Sequence, residues 1–195
     1  MVVRDRLHDL IRLGTYAQLE GSVNYRVNKV QFSYFLNQII DMKQLAERVV
    51  GEKVKDHGHY IRIYKMGLYE ELQSLGFRRF GQHDWNVPNI NSFGESGKKE
   101  YLRAVIDSIG NVDVTDNQPY IKLSSVNHDS LIHLSKIFGA KFTGPYNYGY
   151  SDNYNARWKS SHATSVLEYL DYMFYNHRNR RGAELIKSVR WETYI

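Results

Sequence analysis

The sequence predicts an α+β fold made of two halves of one design. Three observations carry that expectation: a self-similarity at an offset of about 89 residues, helical and strand-like periods that follow the same order in both copies, and enough apolar residues to close a core. Of 195 residues, 42% are hydrophobic and 24% charged with both signs interspersed, and only 3 are Pro, which excludes a disordered or collagen-like chain. The absence of Cys excludes a disulfide framework, a thiolate zinc site and a cysteine nucleophile, so any metal would sit on oxygen or imidazole. The N-terminus, MVVRDRLHDL, carries charges where a signal peptide needs an apolar core, and no run approaches the roughly 18 apolar residues of a membrane span. The expected location is the cytoplasm, or the nucleoid within it.

The offset pairs Leu13 with Leu102, Tyr16 with Val105, Ala17 with Ile106, Gly21 with Gly110 and Val23 with Val112. It continues through Phe32 on Ile121, Tyr34 on Leu123, Leu45 on Leu134 and Val49 on Phe138; after a short insertion, Tyr60, Tyr64 and Lys65 fall on Tyr154, Trp158 and Lys159. In the first half, residues 1–80, Leu7, Leu10, Ile11, Gly14 and Ala17 recur at helical spacing until Gly21 ends the pattern. VNYRVNKVQFSYF then alternates as strands, DMKQLAERVVG returns to a helix closed by Gly51, HYIRIYK is a strand and GLYEELQSLGF a short amphipathic helix. Residues 81–97, GQHDWNVPNINSFGESG, have the composition of a linker. The second half, 98–195, repeats the plan: helix KKEYLRAVIDSIG, a strand pair around the Asp116–Asn117 turn, helix DSLIHLSKIFG, strand YNARWK, and one long final helix SHATSVLEYLDYMFYNHRNR capped by Ser160 or Ser161.

A net charge of +5, from 26 basic and 21 acidic residues, makes nucleic acid a plausible partner without deciding the matter. The 16 Tyr suit a surface that meets a polar partner, although codon bias alone could produce them. The 8 His show no zinc spacing, and neither GxSxG nor a phosphate-cradling GxxxxGK[ST] is present.

LGTYAQLEGSV (Leu13 to Val23) and YLRAVIDSIGNV (Tyr101 to Val112) each resemble the signature helix of the LAGLIDADG homing endonucleases. YIRIYKMGLYEELQSLGF and ATSVLEYLDYMFYNHRNRR resemble the segments that close each copy in that family, so the resemblance spans nearly the whole chain. It implies two αββαββα halves in one monomeric chain, paired through their signature helices beneath a saddle of antiparallel strands that binds double-stranded DNA. Small residues on one helix face, Gly14, Ala17 and Ala104, would allow that close pairing. An acid ending each signature helix would hold Mg²⁺ against the scissile phosphate.

Carried over residue by residue, the acid positions are Glu20 and Ile109, and an isoleucine cannot ligate a metal. Asp107, two residues earlier, matches the family's other acid, expected to cap and to join the copies; its first-half counterpart is Gln18. Glu20 is therefore the one expected catalytic and metal-binding carboxylate. Lys65 and Lys159 are the candidates for steadying phosphate charge, or else simple phosphate anchors or solvated strand ends.

Base reading is expected from one strand face. In the first half this is Asn24, Arg26, Asn28, Gln31 and Ser33; in the second it is Asn111, Asp113, Thr115, Tyr120, Lys122 and Ser124. Arg178, Arg180 and Arg181 would contact flanking phosphates, or form a solvated helix end. The expectation is a sequence-specific DNA-binding protein, deficient in cleavage and suited to regulation. The alternatives are an active Mg²⁺-dependent endonuclease or nickase using Glu20, and an RNA-binding, maturase-like protein.

Overall fold

A computed structural model describes residues 5–27, 29–33, 38–58, 60–147 and 149–188. The N-terminal half runs α1 (Arg6–Leu19), β1 (Gly21–Asn24), β2 (Lys29–Ser33), α2 (Met42–Val50), β3 (Tyr60–Tyr64) and α3 (Leu68–Ser74). The C-terminal half runs α4 (Gly94–Ile109), β4 (Gly110–Thr115), β5 (Gln118–Ser125), α5 (His128–Phe138), β6 (Lys141–Asn147), β7 (Asp152–Lys159), α6 (Ser160–Tyr169) and α7 (His177–Ser188). The sheets are antiparallel, ordered β1-β2-β3 and β4-β5-β7-β6.

The elements follow from local chemistry. Asp5 accepts from Leu7 N–H to start α1, and Asn127 accepts from Ser130 N–H to start α5. Gly51 and Gly139, both left-handed, end α2 and α5. Asp116 and Asn117 adopt positive φ between β4 and β5, the primed hairpin turn that matches strand twist. One continuous core takes Val30, Phe32, Ile61 and Ile63 from the first sheet and Val112, Ile121, Leu123 and Trp158 from the second, against Leu13, Ala17, Leu102 and Ala104 of the central helices.

α1 and α4 lie side by side and run the same way. His8 meets Ser96 at 3.0 Å, Arg12 Nε lies 4.0 Å from Glu100, and the Tyr16 hydroxyl donates to Asp107 at 3.3 Å. The close approach uses Gly97, a small residue outside the expected set, and does not use Gly14. A Cβ at Gly97 would come within 3.0 Å of Ile11, whereas one at Gly14 would come within 2.7 Å of Phe77 and 3.0 Å of Leu72, so Gly14 serves the packing of α3.

Four element readings are corrected. Among the described residues the first half has one strand, not two, between α2 and α3, so it is αββαβα; the chain before β3 makes only the isolated Asp56–Ile61 bridge. The long final helix is two helices, because Asp171 and Tyr172 take positive φ after Leu170 and Asp107 accepts from the N–H groups of Tyr175 and Asn176 at 3.0 Å each. Neither Ser160 nor Ser161 caps α6 through its side chain; Ser160 Oγ donates to Gln118 instead. The last residues of the 81–97 segment already belong to α4, which begins at Gly94.

The halves clasp each other twice, in equivalent ways. Gln18 donates to the Arg79 carbonyl at 2.8 Å and to Asn86 at 2.9 Å, while Trp85, one residue before, accepts from Asn127 and Ser130 at the start of α5. Asp107, in the place of Gln18, holds Tyr175 and Asn176, and that segment bridges to the approach to α2: Ile40 N–H donates to the Tyr175 carbonyl at 2.8 Å and His177 N–H to Gln38 at 3.0 Å. No helix among the described residues is long and apolar enough to cross a membrane.

Candidate nucleic-acid interface

Strand alternation puts the apolar residues of each sheet against the helices and leaves the opposite face polar. On the first sheet the register aligns Ser22, Gln31 and Arg62 in one cross-strand row, and Asn24, Lys29 and Tyr64 in the next. On the second, Asn111, Lys122, Arg157 and Lys141 form one row, and Asp113, Tyr120 and Lys159 the next. Since Gly21 and Gly110 open equivalent strands, the Ser22 row is the counterpart of the Asn111 row. Each carries an arginine on its third strand.

This register corrects the alignment read from sequence. The second hairpin is longer than the first by two residues, so Phe32 is equivalent to Leu123, the partner of Gly110, and not to Ile121. One strand further on, Arg62 is equivalent to Arg157, and the counterpart of Lys159 is Tyr64, not Lys65. Arg62 and Arg157 were therefore missed: a one-residue slip moves a strand residue to the opposite face. Lys29, Lys141 and Asn155, also on these faces, show in sequence only as alternation with their apolar neighbours.

Arg62 is fixed in orientation. Its Nε donates to Gln31 Oε1 at 2.9 Å and its guanidinium lies 4.5 Å from the Tyr60 ring centre, which fixes the plane and leaves its terminal N–H groups for a partner. Asn24 spends its carbonyl oxygen on the N–H of Arg26, and Arg26 projects from a short 3₁₀ turn at the tip of the hairpin. Ser124 donates to Asn155 at 2.7 Å, while Asp113 and Thr115 are exposed on β4. Asn28 lies outside the described residues, and of Ser33 only the backbone is described.

The ends of α1 and α4 share a cavity of about 240 Å³ lined by Glu20, Ile109, Gln82, Trp85, Ser108, Ser124 and Asn153 among others. Burial pushes the Glu20 carboxyl up to about 7, and among the described residues no cation brings it back down. The resemblance implies a divalent cation here. The donor set falls short of one: a single carboxylate among hydroxyls and amides, opposite the isoleucine side chain of Ile109. Among the described residues no three His, Asp or Glu side chains converge.

The two lysines stand apart from Glu20. Lys65 donates to the Val49 carbonyl at 2.8 Å, satisfying the end of α2, at the far end of β3. Lys159 pairs with Tyr120, about 13 Å along β5 from Ser124, which lines the Glu20 cavity. Asp107 does what the resemblance implied for it, capping the approach to α7 and contacting α1, and burial pushes its carboxyl up to about 6 against the hydrogen bonds it accepts. Arg178, Arg180 and Arg181 lie on the solvent side of α7, where Arg180 pairs with Glu184 at 2.9 Å.

Sequence reading also missed the charged interior between the halves. Arg12, 1% exposed, donates to Asp41 and to the Tyr16 hydroxyl at 3.2 Å each, with its guanidinium 3.2 Å from the Tyr175 ring centre. Arg103 donates to the Met173 and Leu170 carbonyls and to Glu100. Each sits at helical spacing among apolar residues, which in sequence reads as a solvent-facing interruption.

No family model matches this sequence, and no curated protein does. Solved structures do match it. Over 87% of this chain and 84% of the other, it resembles the N-terminal LAGLIDADG domain of DUF199/WhiA, with 13% identity and a TM-score of 0.52. It also resembles full-length DUF199/WhiA from Thermatoga maritima, with 14% identity and a TM-score of 0.51, where 99% of this chain spans 65% of that one. At such identity the comparison speaks to architecture, and the architecture of this chain is LAGLIDADG-like.

Proposed function

We propose that this chain is a sequence-specific double-stranded DNA-binding protein on a LAGLIDADG-like scaffold, and that it does not cut both strands of its target. One observation carries the reading: the pairing that relates α1 to α4 also relates the Ser22, Gln31, Arg62 row to the Asn111, Lys122, Arg157 row. Two polar ribbons with equivalent arginines suit two half-sites on one duplex. A merely solvated face would mix Lys with Glu. These rows hold Asn, Gln, Ser, Tyr, Arg and Lys, with Asp113 as their one carboxylate.

The lack of double-strand cleavage follows from the helix ends. A paired site needs two organised carboxylates, and this chain offers Glu20 opposite Ile109. A nick made with Glu20, Mg²⁺ and DNA phosphates is the second reading, favoured by the position of Glu20 in a cavity that Ser124 and Asn153 of the outer face also line. A protein that occupies one sequence without cutting it is suited to regulation.

Selection of bound duplexes from a random library tests the first reading. One enriched sequence is expected, with affinity falling steeply as salt rises. Arg26→Ala or Arg62→Ala should cost about 1–3 kcal/mol on that sequence and relax preference, whereas Arg180→Ala should weaken all sequences alike. Equal losses on selected and random DNA for Arg62→Ala would remove the face assignment. Incubation of the selected duplex with Mg²⁺ or Mn²⁺ should leave at least one strand intact; efficient cutting of both strands, unchanged by Glu20→Gln, would overturn the placement of the site.

A further inference from the structure

The second sheet carries a feature that its counterpart lacks. Lys122, Arg157 and Lys141 stand directly opposite one another on β5, β7 and β6, and Lys159 stands one row away. Like charges directly opposite on neighbouring strands repel. No carboxylate relieves them: among the described residues none of these four cations lies within ion-pair distance of Asp or Glu. In the equivalent first-half row, Ser22 and Gln31 accompany the single cation Arg62, and Gln31 accepts a hydrogen bond from it.

Three of these cations, Lys141, Arg157 and Lys159, also gather around a hollow. Lys141, Thr143, Arg157, Lys159 and His162, with the backbone bend at Gly139 and Ala140, bound a cavity of about 470 Å³. Within the protein, Arg157 Nε is buried and has no hydrogen-bond partner. A buried guanidinium N–H left unpaired costs free energy, and so does a row of unneutralised cations. An anion with several acceptor oxygens, held in the cavity by the Lys141, Lys159 and Arg157 side chains that line it, removes the second cost by neutralising the row.

We propose that this cavity is a phosphate site, in which Arg157 with Lys141 and Lys159 holds a tetrahedral phosphate. The group can belong to the backbone of a bound nucleic acid or to a free phosphorylated small molecule. The first source rests on the DNA-binding reading; the site itself does not.

The experiment uses the full chain, labelled for NMR at arginine Nε, and inorganic phosphate at constant ionic strength. The Arg157 Nε–H resonance should shift saturably and phosphate should raise the melting temperature. Arg157→Gln should bind phosphate about tenfold more weakly. Lys141→Gln supplies a readout that a merely structural lysine would not give: without phosphate it should melt higher than the natural protein, because repulsion along the row is relieved, and phosphate should raise its melting temperature less. Competition with the selected duplex separates the sources. If duplex displaces phosphate, the site holds a backbone phosphate; if phosphate binds equally well to the duplex-saturated protein, or if no duplex binds at all, the ligand is a free phosphorylated molecule. Absence of a saturable Arg157 shift, or the same shift with chloride, overturns the proposal.

Discussion

Glu20 shows how one side chain can be legible in sequence and still owe its chemistry to the fold. Its place at the end of the signature helix, and the substitution of Ile109 at the matching place, are both visible in the chain. Its elevated pKa is not, since this comes from burial beside Leu19, Trp85 and Ile109 in a cavity that five separate segments line. The sign of the resulting pH dependence is set. The folded state keeps the Glu20 proton to about 7 while the unfolded chain releases it near 4.5, so this residue makes stability fall as pH rises through that window and contributes no further change above it. The same charge appears at the cavity between the proposed half-sites, where phosphates would pass. Duplex affinity at fixed salt should therefore fall between pH 6 and 8 more steeply for the natural protein than for Glu20→Gln, as fluorescence anisotropy can measure; parallel curves would remove Glu20 from the interface. Arg62 and Arg157 mark the opposite limit. Their types and strands are readable, but their partnership depends on a hairpin longer by two residues in the second half, which becomes visible only when the register is known.

Among the elements, periodicity identified most helices and strands because each buries one face, and it failed where a tertiary contact overrode it. The segment from Ser160 onward keeps a helical pattern across Asp171, yet Asp107 supplies an anchor that makes a second helix start at His177. That second helix, α7, closes the free edge of β4: Asn179 accepts from the Val112 N–H at 3.1 Å and donates to the Ile106 carbonyl at 2.8 Å. An uncovered edge strand invites pairing with other chains, so α7 also protects the sheet. The approach is close enough that a Cβ at Gly182 would stand 2.0 Å from the Val112 carbonyl oxygen. Gly182→Ala should therefore destabilise the protein by about 1–3 kcal/mol in urea titrations despite the better helix propensity of alanine. Gly149→Ala, at a turn with open space around it but with φ of 100°, should act through backbone strain alone and leave the β4 edge protected in hydrogen exchange.

The molecule as a whole was legible as a duplication, but its interior was not. The repeat at about 89 residues foretold two halves and their paired helices. It gave no sign that the contact between them would be laced with Arg12, Asp41, Glu100 and Arg103, or that the segments after each half would cross over to the other. Those crossings mean that neither half holds all of its own partners. Residues 5–93 produced alone should lack the cooperative unfolding and hydrogen-exchange protection at Ile40 that the full chain shows, and adding residues 94–188 in trans should restore both; a cooperatively folded isolated half would show the crossings to be dispensable. The second crossing also orders events in time. On the ribosome the approach to α2 leaves the exit tunnel early, while the segment that bridges to it, at Tyr175 to His177, emerges only after nearly the whole second half, roughly seven to thirty seconds later at ordinary elongation rates. The first half of this protein must wait, incomplete, until the second has been made.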